Sequence, residues 1–371
     1  MAEPFKLKEF FNVALVDRMA SDIHDSWPKF DRNGFVKTIV PQLNLLELKQ
    51  RADLITHTLK DFLPPNYPEA LKALEGSWGP EINGDSLEGM SSFYYMPHAH
   101  FVAYYGLDHF EISMNALKEI TKRFTSEFAI RFFILAHQKR TMVVLNKWVT
   151  DPNLHVRRLV SEGTRPRLPW AQRLPEFQKD PTPVLALLEK LKDDPELYVR
   201  RSVANNLNDI MKDHPELVVE VLERWQKSEN ADTQWIVKHA SRTLIKQGHP
   251  AALVLRGYSP DIKVEVSNLK GSSTVVIGGY LNFSFSVKSL EKKKAELMID
   301  YVVHYMKANG QHSEKVFKLS ACTLAGGATS IFKRKLSFEQ RTTRKHYPGA
   351  HYLEIQINGQ RHGRLNFEVI A

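Results

Sequence analysis

Residues 161–170 read Ser-Glu-Gly-Thr-Arg-Pro-Arg-Leu-Pro-Trp and bring one carboxylate, two arginines and an indole together on a short stretch. Pro166 and Pro169 restrict that stretch, so Glu162, Arg165, Arg167 and Trp170 are presented with little conformational freedom left to lose. A fixed carboxylate can stabilise a developing positive charge or hold a water. Guanidinium groups match phosphate geometry, and an indole face attracts a cation or stacks on a base. A simpler account also exists. Arg158 and Glu162 can form an i,i+4 surface pair worth a few tenths of a kcal/mol, and Trp170 can fill a core. Against it stand the arginines at 157, 158, 165, 167, 200 and 201, which crowd into two neighbouring segments.

The elements that would position these groups carry an internal repeat. Residues 151–160, D-P-N-L-H-V-R-R-L-V, reappear as D-P-E-L-Y-V-R-R-S-V at 194–203. The core of the pattern also occurs as Phe128-Ala129-Ile130-Arg131 and, degenerately, as Gln234-Trp235-Ile236-Val237. Successive offsets are 26, 43 and 37 residues, the last two near the HEAT and armadillo range. Further helical segments are expected at 139–149, 181–192, 215–228 and 249–256. Asp151-Pro152 and Asp194-Pro195 read as N-caps with proline at the first helical position. On the first repeat helix, Val156, Leu159, Val160 and Gly163 face inward, while Arg158, Ser161, Glu162 and Arg165 face outward. On the second, Val199, Val203, Leu207 and Ile210 are inside and Arg201, Asn205 and Asn208 outside. The expectation is an α-solenoid with a polar, arginine-bearing strip directed at phosphates. Residues 5–75 carry helical periodicity, 76–98 read as a long loop, and helices resume from about 108.

From Gly257-Tyr258-Ser259-Pro260 onward the apolar period changes to two: I-K-V-E-V, L-N-F-S-F-S-V, L-M-I-D-Y-V-V-H-Y, I-F-K-R-K-L-S-F, Y-L-E-I-Q-I and R-L-N-F-E-V. Asn309-Gly310, Gly326-Gly327 and Asn358-Gly359 supply turns. About seven short strands imply an immunoglobulin-like β-sandwich, with Tyr352 as a candidate tyrosine corner. The chain is thus multidomain α + β: a HEAT-like α-solenoid over 1–257 and a β-sandwich over 258–371.

Its net charge is +9, unevenly spread. Residues 1–110 hold 10 Lys and Arg against 15 Asp and Glu, whereas residues 261–371 hold 17 against 9. A basic C-terminal third suits a polyanion such as nucleic acid. Its cationic clusters are Lys292-Lys293-Lys294, Lys333-Arg334-Lys335, Arg341 with Arg344-Lys345, and Arg361 with Arg364. One cysteine, Cys322, excludes an internal disulfide and a cysteine-rich metal site and fits a reducing, cytoplasmic compartment. The opening M-A-E-P-F-K-L-K-E-F-F does not read as a secretory signal, and no apolar run reaches membrane-spanning length. His98, His100 and His109 lack acidic or cysteine partners at ligand spacing, so no metal is expected.

F-T-S-E-F-A-I-R-F-F, M-P-H-A-H-F-V-A-Y-Y-G-L-D-H-F and H-V-R-R-L-V-S-E-G-T-R-P-R-L-P-W-A resemble the AlkC-type branch of the AlkD-like HEAT-repeat DNA glycosylases, over about residues 5–255. The resemblance implies a DNA N-glycosylase that removes cationic alkylated bases such as 3-methyladenine or 3-methylcytosine from double-stranded DNA, without swinging the base into a deep pocket. No lysine stands out as a Schiff-base nucleophile, so a monofunctional enzyme is expected, acting as a monomer without cofactor. The resemblance marks Glu162, Glu127 and Trp170 as catalytic: Glu162 for an oxocarbenium-like sugar, Glu127 for the water and Trp170 for the lesion and sugar face, the two glutamates being exchangeable in role. Expected DNA contacts are Arg157, Arg158, Arg165, Arg167, Arg200, Arg201, Lys333, Arg334, Arg341, Arg344, Lys345 and Arg361. The competing reading is a non-catalytic scaffold binding nucleic acid or protein.

Overall fold

The structure, a computed structural model, describes residues 6–82, 84, 90–340 and 344–371; Arg341 lies outside them. Two compact units are distinguished. One runs to His214 and takes in Asn230–Ile236; the other comprises Pro215–Glu229 and Val237–Ala371. The change from helix to strand falls between Val254 and Val264.

The helices of the first unit are α1 (Val13–Ser26), α2 (Arg32–Ile39), α3 (Leu48–Phe62), α4 (Tyr67–Glu75), α5 (Met96–Tyr105), α6 (Phe110–Thr121), α7 (Ile130–Trp148), α8 (Leu154–Gly163), α9 (Pro175–Lys179), α10 (Thr182–Leu191) and α11 (Leu197–Ile210). Several start on a local signal. Asn12 caps α1 by accepting from Leu15 N at 3.0 Å, and Glu47 with Gln50 forms a capping box on α3. α5 begins at the end of the stretch read as loop, 76–98, and runs on ahead of residue 108, where helices were expected to resume. Every residue from Met96 to Ala103 is buried, so no polar stripe marks the helix in the sequence. α8 packs against α7, α10 and α11, with Val156, Leu159 and Val160 fully buried.

The expected aspartate caps are corrected. α8 is capped by Asn153, which accepts from His155 N at 2.9 Å, and Asp151 instead accepts from Asn153 N at 2.9 Å, one turn earlier. Asp194 likewise accepts from Glu196 N at 3.0 Å, ahead of α11. Asp-Pro thus forms the turn before each helix rather than its first residues. α8 ends at Gly163, where a Cβ would lie 2.5 Å from Ile130 Cγ2, so only glycine lets α8 close on α7.

The second unit contains α12 (Pro215–Gln226), α14 (Arg242–Lys246) and α15 (Pro250–Val254), while α13 (Ala231–Ala240) runs from one unit into the other. Its strands are β1 (Val264–Gly271), β2 (Thr274–Val276), β3 (Tyr280–Ser289), β4 (Ala295–Met306), β5 (His312–Leu324), β6 (Thr329–Ser337), β7 (Gly349–Ile357) and β8 (Gln360–Ile370). They form one sheet ordered β1-β3-β6 and another ordered β2-β8-β7-β4-β5. Leu281, Phe283 and Phe285 of the first sheet share a core with Ile299, Leu353 and Ile355 of the second. β5, absent from the sequence reading, is an edge strand whose lysines blur its alternation. Asn358 and Gly359 both have positive φ, as a two-residue hairpin turn requires. Tyr352 is no tyrosine corner, because its hydroxyl makes no hydrogen bond to the described residues; its ring instead lies 3.8 Å from that of His304 and 3.5 Å from the Arg364 guanidinium.

Candidate active site

The segment after α8 is held by one buried cation. Arg131, near the start of α7, is fully buried and donates to three backbone carbonyls of that segment: Gly163 at 3.0 Å, Arg165 at 2.7 Å and Gln172 at 2.9 and 2.5 Å. Burial, helped by neighbouring Arg165, pushes its pKa down to about 10, so it still carries charge at neutral pH. At the far end of the segment Trp170 sits at φ +65°, a region that bulky residues avoid, and is 66% exposed. Lys49 of α3 donates to its carbonyl. A strained, exposed indole is not core filler.

Beside this segment runs a chain of alternating charges. Arg158 pairs with Glu127 and lies 3.5 Å from Glu162 Oε1; Arg165 reaches the same oxygen at 2.6 Å and Asp209 at 2.8 Å. Lys212 completes Asp209 from the solvent side at 3.0 Å. Ser202 Oγ donates to Glu162 Oε2 at 2.6 Å, so both oxygens of this carboxylate are occupied. Glu127 differs. Its Oε2 accepts from Arg158 and from Thr125 Oγ1 at 2.8 Å, while Oε1 accepts no hydrogen bond from the described residues. Burial drives the Glu162 carboxyl up, but the charges of Arg158 and Arg165 and the Ser202 bond outweigh it and hold the group below the usual glutamate range. Burial also works against the Arg158 cation, yet Glu127 and Glu162 raise its pKa further still.

Glu127, Glu162, Arg165 and Trp170 all line one cleft of about 390 Å³, whose apolar walls include Phe93, Phe124, Phe128 and Leu168. The three residues expected to act together are therefore brought together. Their surroundings need correction, however. Ser161 and Glu162, read as outward-facing, are buried, because α11 covers that face of α8. The supposed phosphate-facing strip is mostly internal. Arg157 makes a two-point contact with Asp194 at 2.6 and 3.1 Å, and Arg167 pairs with Asp213. Arg200 is buried and donates to Asp194 O at 2.7 Å and Asp232 at 2.9 Å. Arg201 is exposed and has no hydrogen-bond or ion-pair partner among the described residues. Arg131, Asp209, Ser202 and Lys49 were missed as parts of the site. Arg131 ends a recognised repeat copy, but nothing in its spacing marks it as a brace.

Within the second unit, Lys333 and Arg334 line a groove of about 590 Å³ with Lys270 and Lys335. Arg344 stacks on Tyr305 and Phe317 beside a second groove of about 350 Å³, and Lys345 is exposed. Arg361 pairs with Glu314 at 3.1 Å and Glu354 at 3.4 Å. Among the described residues no group of three or more His, Cys, Asp or Glu could hold a metal ion, and no helix is long and apolar enough to cross a membrane.

Known proteins resemble this chain over its length. Residues 113–244 match the family model of DNA alkylation repair enzymes, and residues 265–371 match that of the C-terminal Ig-like domain of the uncharacterised protein YhaZ. The uncharacterized protein YhaZ of Bacillus subtilis (strain 168) is 40% identical over 365 residues, covering 98% of this chain and 99% of that protein. The Pseudomonas fluorescens alkylpurine DNA glycosylase AlkC, solved bound to DNA containing an abasic site analog, is 41% identical with a TM-score of 0.90, covering 99% of this chain and 100% of that one. Likeness of this extent over both chains shows that the chain belongs to the AlkC-type family of DNA alkylation repair enzymes, with the Ig-like C-terminal domain of the YhaZ proteins.

Proposed function

We propose that the protein is a monofunctional DNA N-glycosylase of base-excision repair. Its substrates are double-stranded DNA carrying cationic alkylated bases, 3-methyladenine or 3-methylcytosine. The observation that carries this reading is the pair of carboxylates, Glu127 and Glu162, in one cleft with Trp170. A base that already carries positive charge needs no protonation to leave. The C1′–N bond breaks with its electron pair passing to the base, which becomes neutral, and positive charge develops on the sugar. Glu162, locked by two arginines and Ser202, supplies fixed negative potential to that oxocarbenium-like state. Glu127, with Oε1 accepting from no described residue, orients the water and takes its proton as it adds to C1′. The indole of Trp170 favours the cationic lesion by about 0.5–2 kcal/mol.

The helices act as a HEAT-like solenoid that offers this cleft on an open face, so the base stays out of any deep pocket before the bond breaks. The C-terminal unit acts as an immunoglobulin-like sandwich whose cations, Lys333, Arg334, Arg344 and Lys345 foremost, bind phosphates. The enzyme works as a cytoplasmic monomer. Purified protein incubated with methylated duplex DNA releases free 3-methyladenine; no release above background contradicts the reading and favours a non-catalytic scaffold.

A further inference from the structure

Trp170 is also the wall of a second cavity of about 140 Å³, which shares Lys49, Met96 and Phe128 with the catalytic cleft. Its chemistry is different. No arginine lines it. Its polar groups are Asp53 of α3, His100 and Tyr104 of α5, Gln172, and Lys49, whose ammonium donates to the Trp170 carbonyl; Phe132 of α7 adds a further ring. Asp53 Oδ1 accepts from Tyr104 Oη at 2.8 Å and meets His100 Nδ1 at 3.0 Å. Oδ2 accepts no hydrogen bond from the described residues, and His100 Nε2 has no partner among them. Burial pushes the Asp53 carboxyl up, but the bonds from His100 and Tyr104 outweigh it and keep the group ionised at neutral pH.

An ionised carboxylate with an available oxygen, an imidazole nitrogen and several aromatic faces form a recognition set for a planar ring with an amino edge. The space corresponds to about four or five waters in the liquid. Its volume suits a single heteroaromatic base better than a whole nucleotide. Nothing in the bond-breaking chemistry above uses these groups.

We propose that this cavity is a product subsite that receives the excised base across Trp170, with Asp53 Oδ2 accepting from its exocyclic amine and the aromatic side chains packing on its faces. The inference rests on the glycosylase reading. Once the bond electrons have passed to the base, the base is neutral and no longer attracted to the Glu127–Glu162 side. A neighbouring chamber then clears the cleft and limits recombination with the sugar.

The test measures binding of free 3-methyladenine to the full-length protein by saturation-transfer NMR and equilibrium dialysis, alongside excision from methylated DNA. Saturable binding is expected. Asp53→Asn and Tyr104→Phe, each checked by thermal melting, should weaken it at least fivefold, while Glu162→Gln should slow excision at least 100-fold and leave base binding unchanged. Protein that excises the base but does not bind it, or folded Asp53→Asn and Tyr104→Phe that bind it like wild type, overturns the subsite alone. Protein that excises nothing overturns the glycosylase reading beneath it.

Discussion

The two copies of the D-P-x-L-x-V-R-R motif share a scaffold and diverge in what they do with it. In each, the first arginine reaches forward to an aspartate further along the chain: Arg157 to Asp194, and Arg200 to Asp232. The second arginine separates them. Arg158 is held between Glu127 and Glu162, whereas Arg201 is exposed without a partner among the described residues. Part of the cause is one position: where the first copy has Glu162, the second has Asn205. A carboxylate there, met by Glu127 from ahead of α7, converts a surface cation into the centre of a charged cluster. Repetition supplied the frame, and a carboxylate on each side of one arginine supplies the site.

The largest expected effect tests the frame. Arg131→Met leaves the carbonyls of Gly163, Arg165 and Gln172 without their donor. It should cost about 3–5 kcal/mol by denaturant melting, at about 1–3 kcal/mol for each buried acceptor left without a donor, and abolish excision. A variant of normal stability and activity would show that the segment holds itself. Glu127→Gln comes next. It keeps the bond from Thr125 while removing the base, so the single-turnover excision rate should fall about 100-fold with little change in affinity for DNA carrying an abasic-site analog. A loss confined to affinity would make Glu127 a binding group.

A second pair of carboxylates sharpens the contrast through pH. Glu162 is held below the ordinary range by its arginines, so excision should persist until the pH falls beneath that range. Asp300 in β4 is buried, has one oxygen without a partner among the described residues, and is pushed up to about 6 by burial against the weaker pull of Lys318 and Lys246. A raised carboxyl binds its proton more tightly folded than unfolded, so its contribution to stability falls as pH rises from about 4 to 6. Relative to Asp300→Asn, wild type should gain about 2–3 kcal/mol between pH 7 and pH 4. A constant difference in urea melts across that range would mean the carboxyl is not raised. The smallest effects compare the paired arginines directly. Arg157→Ala should lower stability by about 2 kcal/mol. Arg201→Ala should leave stability within about 0.5 kcal/mol of wild type and reduce the salt dependence of DNA binding by about one phosphate contact. If Arg201→Ala proves the more destabilising, the division between scaffold and surface arginines fails.

Much of this was legible in the residues themselves. The change of period near residue 257 marks where helices give way to strands, and Asn358-Gly359 marks a hairpin by backbone requirement alone. Glu127, Glu162 and Trp170 stood out through motif likeness, and the fold brings them to one cleft. What stayed hidden has a common origin in tertiary contact. α5 carries no amphipathic stripe because it is buried on all sides. Ser161 and Glu162 fall on the polar face of α8 by helical arithmetic, yet α11 covers that face. Arg157 reads like Arg201 until Asp194, far along the chain, is placed beside it. Lys49 donates to the Trp170 carbonyl and Asp53 lines a cavity with Trp170 only because the fold brings α3 beside a segment more than a hundred residues later.

The central claim is that a fixed carboxylate on α8 drives bond cleavage rather than DNA binding. Single-turnover release of 3-methyladenine by Glu162→Gln, measured beside its affinity for DNA containing an abasic-site analog, tests that most directly. The expected result is a rate reduced about 100- to 1000-fold with affinity kept within a few-fold of wild type. Release at the wild-type rate by this variant would contradict it.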